Sequence, residues 1–494
     1  MRRLLDHKLL AGGGVARYAR RMTATLAALL CVVPALALSL RAGEPLLLQA
    51  DFSRTAGVFR PLHGINKGPL TSGGTVDLTA LHRALGVPFN RLHDCHWPNP
   101  DVVDIHVVFP DPRADPARAE SYDFTLTDEY VAGVLQTGAQ IVFRLGESIE
   151  HTKTKRFVHP PKDPEQWAAV CLGIIRHYND GWARGFRHGI RYWEIWNEPE
   201  NRPQMWTGTD AEFIRLYHVT ARAIKTRYPD LFVGGPAFGH SGHLKDGKFE
   251  PTAFVTEFLE SCRREKVPLD FFSWHCYTDN PAELSVRSRA IRALLDAHGF
   301  AKTESHLNEW NYLPGKDWGP LSVAGQGEGR QRFYEQMAGP AGAAFVATAL
   351  VELQDASLDM GNFYHGEVGA FGLFTEHAVP TKNYHALRAF HDLLATPRRV
   401  ETRGAVPGQL AVGAGVNEAQ DRAAVLVSNF SHPQAEFRLA LANLPWTGPT
   451  VSEVRLLDAV HNLAVVRRET NSAVALSLTL PRPAVALITL QAAR

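Results

Sequence analysis

A (β/α)8 barrel followed by an antiparallel β-sandwich is the fold class that this 494-residue sequence predicts. Three observations carry the expectation. From about residue 55 to 395, short apolar runs alternate with longer helical patterns, the rhythm of parallel strands joined by helices. No Gly-rich phosphate loop follows the first run, which argues against the rival open, doubly wound sheet. After about residue 396, apolar residues recur in twos between Pro, Gly, Asn and Asp, as in strands that bury one face.

The barrel strands follow in order. "FRPLHGINKG" is the first, "VPFNRLHD" the second, "AQIVFRLGES" the third and "IRYWEIWNEPE" the fourth. "LFVGGPA", "LDFFSWHCY", "ESHLNEW" and "LDMGNFYHG" are the fifth to eighth. Between the third and fourth, Trp167, Val170, Leu172 and Ile175 share one face of a helix. "AEFIRLYHVTARAIKTRYPD", "TAFVTEFLESCRREKV" and "VRSRAIRALLDAHGF" supply further helices, and the Ala-rich stretch 329–354 reads as one more. The Pro- and Asp-rich segment from about 98 to 124 reads as a long loop over the barrel face. In the sandwich (396–494), Val474, Leu476, Leu478 and Leu480 fall on one face. The strand-like stretch 44–54, beginning "EPLLLQADF", is a candidate to join it.

Residues 1–43 stand apart. Arg17, Arg20 and Arg21 precede an apolar run from Met22 to Leu40 that ends in small residues, which predicts a signal peptide or an uncleaved membrane anchor. Export to the periplasm or outside the cell is the expectation. Cys31 falls in this leader. Cys95, Cys171, Cys262 and Cys276 are widely spread without a CxxC pair, which predicts buried free thiols, with one disulfide as the alternative after export. A formal net charge of +1 favours neither nucleic acid nor an anionic membrane surface.

In a parallel barrel the reactive groups sit at the C-terminal ends of the strands. Those ends offer His63, Asn66 and Lys67, then Arg91, His93 and Asp94, then Arg144 and Glu147. Asn197 and Glu198 close the fourth strand; His275 and Tyr277 follow on the sixth, Asn308 and Glu309 on the seventh, His365 and Glu367 on the eighth. Glycosidic cleavage needs two carboxyl groups, one to protonate the leaving oxygen and one to remain ionised. Strands four and seven lie three steps apart around the ring, so Glu198 and Glu309 can face each other. Two H-x-x-H pairs, His93/His96 and His240/His243, lack a third ligand at suitable spacing, so no metal or cofactor is expected.

The segments "FNRLHD", "YWEIWNEPE", "DFFSWHCY" and "NEW" resemble those of glycoside hydrolase family 39, a group of retaining glycosidases on (β/α)8 barrels that includes β-xylosidases and α-L-iduronidases. The similarity covers most of residues 50–395, and Asn-Glu-Pro is its specific element. The resemblance implies Glu198 as general acid and base and Glu309 as nucleophile. It implies Asn197 on the sugar 2-hydroxyl, Arg91 beside Glu309, and Tyr277 or His275 against the nucleophile. His93, Asp94, Glu147 and Trp310 are counted with them as sugar-binding residues. Glu198 is then expected to have a raised pKa, and Glu309 to be held ionised by Arg91. Arg144 and Glu147 match no segment of the pattern. A uronic-acid substrate would need a free cation, for which Lys67, Arg144 and Lys316 are the candidates; a pentose would need a pocket without room for a hydroxymethyl group. The implied partner is an oligo- or polysaccharide, cleaved from its end, with internal cleavage, glycosyl transfer and silent carbohydrate binding as alternatives.

Overall fold

The computed structural model describes residues 44–493 except 72–75, 98–100, 246, 323–324 and 472–474. The leader and Cys31 lie outside the described residues. Eight parallel strands close into a barrel: Gly64–Asn66, Phe89–Leu92, Gln140–Leu145, Tyr192–Ile195, Phe232–Phe238, Phe271–Thr278, Glu304–Tyr312 and Met360–Phe363. Each coincides with a run named above. Inside, Val142, Tyr192, Phe271 and Met360 form an apolar plug at the N-terminal end, with Phe89 and Phe232 packed against it. One layer higher the inward positions turn charged, to Arg91, Arg144 and Glu194, all fully buried. Inward residues recur every second position along a strand, so plug and charged layer are consecutive inward positions of the same strands.

The connecting helices carry their own start signals. Asp163 accepts from the backbone N–H of Glu165 and Gln166 at the start of Pro164–Asn179, and Thr209 with Glu212 forms a capping box at the start of Asp210–Arg227. The single helix expected over 329–354 is two, Gly327–Ala338 and Pro340–Glu352. Pro340 lacks an N–H and suits a first turn, so a new helix starts there. The second of these is apolar all round and buried from Gly342 to Leu350, because the barrel lies on one side and a β-sheet on the other. A hairpin, Gly242–Lys245 with Lys248–Pro251, follows strand five and was not foreseen.

That sheet has nine strands in the order 462–471, 450–457, 484–492, 422–429, 410–416, 398–403, 46–58, 436–442, 475–479. Every pairing is antiparallel except that of 46–58 with 436–442, so the N-terminal strand enters as the parallel member. Leu48, Ala50 and Phe52 share an apolar core with Val425, Val427, Leu478 and Ile488 from distant strands of the same sheet. The other face of the central strands, Ala424, Leu426 and Leu487, joins the barrel's core. Strands buried on both faces read as continuous apolar runs, as "RAAVLVSN" does.

Candidate active site

The strand ends at the barrel mouth are held in unusual backbone conformations. Lys67, Asp94, Trp196 and Glu198 have φ of 47°, 52°, 70° and 43°. Left-handed backbone at a non-glycine residue costs about 1–3 kcal/mol and persists where neighbours over-determine it. Here the Trp196 N–H donates to the Leu145 carbonyl at 2.8 Å, and the Glu198 N–H to the Ala237 carbonyl at 3.1 Å, tying the turn to strands three and five. Gly239 presses against the Glu198 carboxylate so closely that a Cβ would sit 2.2 Å from Oε1. On strand seven the register slips between Leu307 and Glu309, a β-bulge that makes Asn308 and Glu309 both face inward. Trp310 is therefore turned outward. It is fully buried in the barrel wall, edge-on to Phe363 at 5.5 Å, and it is core, not sugar-binding surface as the sequence led us to expect.

Glu198 and Glu309 meet across the mouth. One oxygen of each, together with a ring nitrogen of His275, lies within 4.8 Å of the others. His275 Nδ1 is 2.8 Å from Glu198 Oε1 and 3.4 Å from Glu309 Oε2. Tyr277 donates its hydroxyl proton to Glu309 Oε2 at 2.7 Å. Arg91 is the hub beneath: Nη1 donates to Glu309 Oε1 at 2.8 Å, Nη2 to Asn197 Oδ1 at 2.7 Å, and Nε to Glu194 Oε2 at 2.5 Å. Arg91 thus occupies the Asn197 carbonyl oxygen, so Asn197 can serve other partners through its amide N–H groups, as a donor. His93 Nε2 lies 3.8 Å from Glu309 Oε1 and 3.4 Å from Asp94 Oδ1, completing the wall on the strand-two side.

The electrostatics reverse one expectation. Burial pushes the Glu198 carboxyl up, but the hydrogen bond and charge of His275, with the Asn201 amide, outweigh it and leave it below its ordinary value. Burial raises Glu309, and His275, Arg91 and Tyr277 only partly oppose that, so it stays above its ordinary value. Burial alone would depress His275, but Glu309 and Glu198 raise it. Glu198 is thus the stronger acid of the two, opposite to the order the sequence suggested. The reason is His275, which bridges both carboxylates. A proton in the 2.8 Å bond can reside on Nδ1 or on Glu198 Oε1, so the three groups titrate as a unit. Tyr277→Phe should lower kcat by about 10- to 100-fold by removing one charge-stabilising donor; steady-state kinetics with an unchanged circular dichroism spectrum would check it.

Around this centre, Glu194 and Tyr364 are residues that the sequence did not single out, and they stand among others that it did. Glu194, an acid inside the apolar run "YWEI", is fully buried and also accepts from the Asn308 amide. A lone carboxylate in an otherwise apolar barrel strand was the signal that could have found it. Tyr364 donates to Asp94 Oδ2 at 2.9 Å, and the Lys67 ammonium lies 5.2 Å from the Tyr364 ring centroid. Glu367, buried and pushed up to about 7 by that burial, faces Lys67 at 3.9 Å. Glu147 is drawn to the side. It accepts from the backbone N–H of His106 at 3.2 Å and lies 2.5 Å from the His106 ring, while Arg144 pairs with Asp104. The loop expected over 98–124 thus docks by the helical turn Ile105–Val108 onto the end of strand three. Cys95, Cys171, Cys262 and Cys276 are free and buried.

The pattern of glycosyl hydrolases family 39 matches residues 90–309, which takes in Arg91, Asn197, Glu198, His275 and Glu309. The chain is 25% identical over 399 residues to a β-xylosidase of Geobacillus stearothermophilus, covering 68% of this chain and 72% of that one. It is 26% identical over 347 residues to a β-xylosidase of Caldicellulosiruptor saccharolyticus, covering 63% and 62%. A glucosidase structure from Croceicoccus marinus superimposes with a TM-score of 0.76 at 25% identity, over 91% of this chain and all of that one.

Proposed function

Since the chain is a glycosidase of the family 39 kind, we propose that it hydrolyses by double displacement, releasing a neutral sugar from the non-reducing end of an oligo- or polysaccharide. The spacing of the two carboxylates carries this reading. Retaining enzymes hold theirs about 5–5.5 Å apart, whereas inverting ones leave roughly 6.5–9.5 Å for a water. The nearest oxygens of Glu198 and Glu309 lie within 4.8 Å of one another, which favours the closer, retaining spacing. Glu309 attacks the anomeric carbon as Glu198 delivers its proton to the leaving oxygen. The ester formed removes the Glu309 charge, and Glu198 with His275 then takes a proton from the incoming water.

Charge favours one substrate class over another. The three candidate cations each have an acidic neighbour: Arg144 has Asp104, Lys316 has Glu283 at 2.6 Å, and Lys67 has Glu367 at 3.9 Å. The remaining acids, Glu198, Glu309 and Asp94, would repel a charged sugar, which supports a neutral one. The β-xylosidase relatives favour a pentose; the glucosidase structure keeps a hexose as the second reading. Lys67, His365 and Glu367 are all buried beside Asp94, which supports a site blocked on that side and hence cleavage from a chain end. A panel of 4-nitrophenyl glycosides of xylose, arabinose, glucose, galactose and glucuronic acid tests this. We expect turnover on neutral β-glycosides, the pentoses first. Preferential cleavage of the glucuronide would overturn the charge argument. We further propose export through the leader, on its arginines and apolar run; fractionation of cells expressing the full chain would test it.

A further inference from the structure

We propose that Glu194 is a standing counter-ion for Arg91 that keeps the cation neutralised in both halves of the reaction, and so lets Glu309 shed and regain its charge. The inference rests on the reading of Glu309 as nucleophile. Glu194 touches no position a sugar can reach: it is fully buried on strand four, below the mouth, bonded to Arg91 Nε at 2.5 Å and to the Asn308 amide. It acts through Arg91 and is a positioning residue.

The charges change as follows. In the free site Arg91 is flanked by two carboxylates, Glu194 at Nε and Glu309 at Nη1. In the first step a Glu309 oxygen forms a bond to the anomeric carbon, the bond from that carbon to the leaving oxygen breaks, and the Glu198 proton passes to that oxygen. Glu309 becomes a neutral ester. With Glu309 as its only partner, Arg91 would now be an unpaired cation in the barrel interior, a state that desolvation strongly disfavours. Glu194 removes that penalty. It also shares the Arg91 charge, so that Glu309 is less tightly held and a better nucleophile.

The other charged or titratable groups facing Glu309 are His93 from strand two, Glu198 from strand four, His275 and Tyr277 from strand six, and Tyr364 from strand eight. None of them contacts Arg91 Nε. The Arg91 charge that Glu194 holds is therefore available only to that one carboxylate.

The test is Glu194→Gln, which keeps shape and removes charge, assayed with the aryl glycoside that the panel shows to be cleaved fastest. Losing a neighbouring anion while Arg91 turns wholly to Glu309 favours the ionised nucleophile. The acid limb of kcat/KM should therefore move to lower pH, by about one unit. The first half-reaction should slow roughly 10- to 100-fold, because the Arg91 cation is stranded as the ester forms. The second should not slow, because Glu309 is the better leaving group. Pre-steady-state release of nitrophenol should then lose its burst, or show none where wild type does. Glu194→Asp keeps the charge and should keep the wild-type acid limb at a reduced rate, and it carries the test if the glutamine variant does not fold. An acid limb unmoved in Glu194→Gln, or shifted equally in Glu194→Asp, would overturn the proposal. Labelling wild type with the matching 2-deoxy-2-fluoro glycoside separates the premise from the inference. An adduct on a residue other than Glu309 would remove the premise, whereas an adduct on Glu309 with an unmoved acid limb would remove only the role of Glu194.

Discussion

Glu309→Ala should lower kcat by roughly 10⁴-fold or more, equivalent to about 5.5 kcal/mol of lost transition-state stabilisation. The effect should be large because Glu309, the proposed nucleophile, has its charge steadied by Arg91 at 2.8 Å and Tyr277 at 2.7 Å. Truncation also clears a space beside the anomeric carbon. Azide entering there should restore activity and yield a glycosyl azide of inverted configuration, identifiable by nuclear magnetic resonance. Arg91 would be left with Glu194, so the variant should still fold with a cooperative thermal transition. Wild-type turnover in Glu309→Ala would refute the assignment of the nucleophile.

The second large effect is expected at Glu198, and its form matters more than its size. Glu198→Ala should cost about 10³-fold on alkyl or sugar leaving groups, which need a proton, and far less in the first step on dinitrophenyl glycosides, which do not. Hydrolysis of the ester should slow for every substrate, since no base activates the water, so the glycosyl-enzyme should accumulate. Azide should then give a product of retained configuration, opposite to that from Glu309→Ala. Equal losses across leaving groups would argue against an acid role.

The acidity of these groups sets the pH range of activity. Glu309 must be ionised to attack, and burial raises its pKa, so kcat/KM should fall on acidification at a pH above the ordinary glutamate range. The shared proton of Glu198 and His275 must be present, and His275 is raised by its two carboxylates, so the alkaline limb should lie above the ordinary imidazole value. In His275→Gln the hydrogen-bond reach remains but the titrating ring is lost. The alkaline limb should then follow Glu198 alone and move to lower pH. A pH–rate profile on both proteins checks it.

Much of this arrangement was legible beforehand. Eight strands and the pair Glu198 and Glu309 could be read from the sequence, because apolar periodicity is local and strand ends in a parallel barrel always face the same opening. Arg91, Asn197 and Tyr277 were legible for the same reason, each lying at or just beyond the inward end of its strand. What the sequence could not reveal depends on contacts between distant strands. A one-residue bulge at Asn308 decided that Trp310 faces the wall and not the sugar. Contact of His275 with both Glu198 and Glu309 decided which carboxyl holds its proton more weakly. Glu194, hidden in an apolar run, acquired meaning only once Arg91 was seen to lie against it. Local pattern selects the elements, because burial acts on each strand separately. The registers between strands set the distances among charges, and those distances fix the acidities on which the chemistry runs.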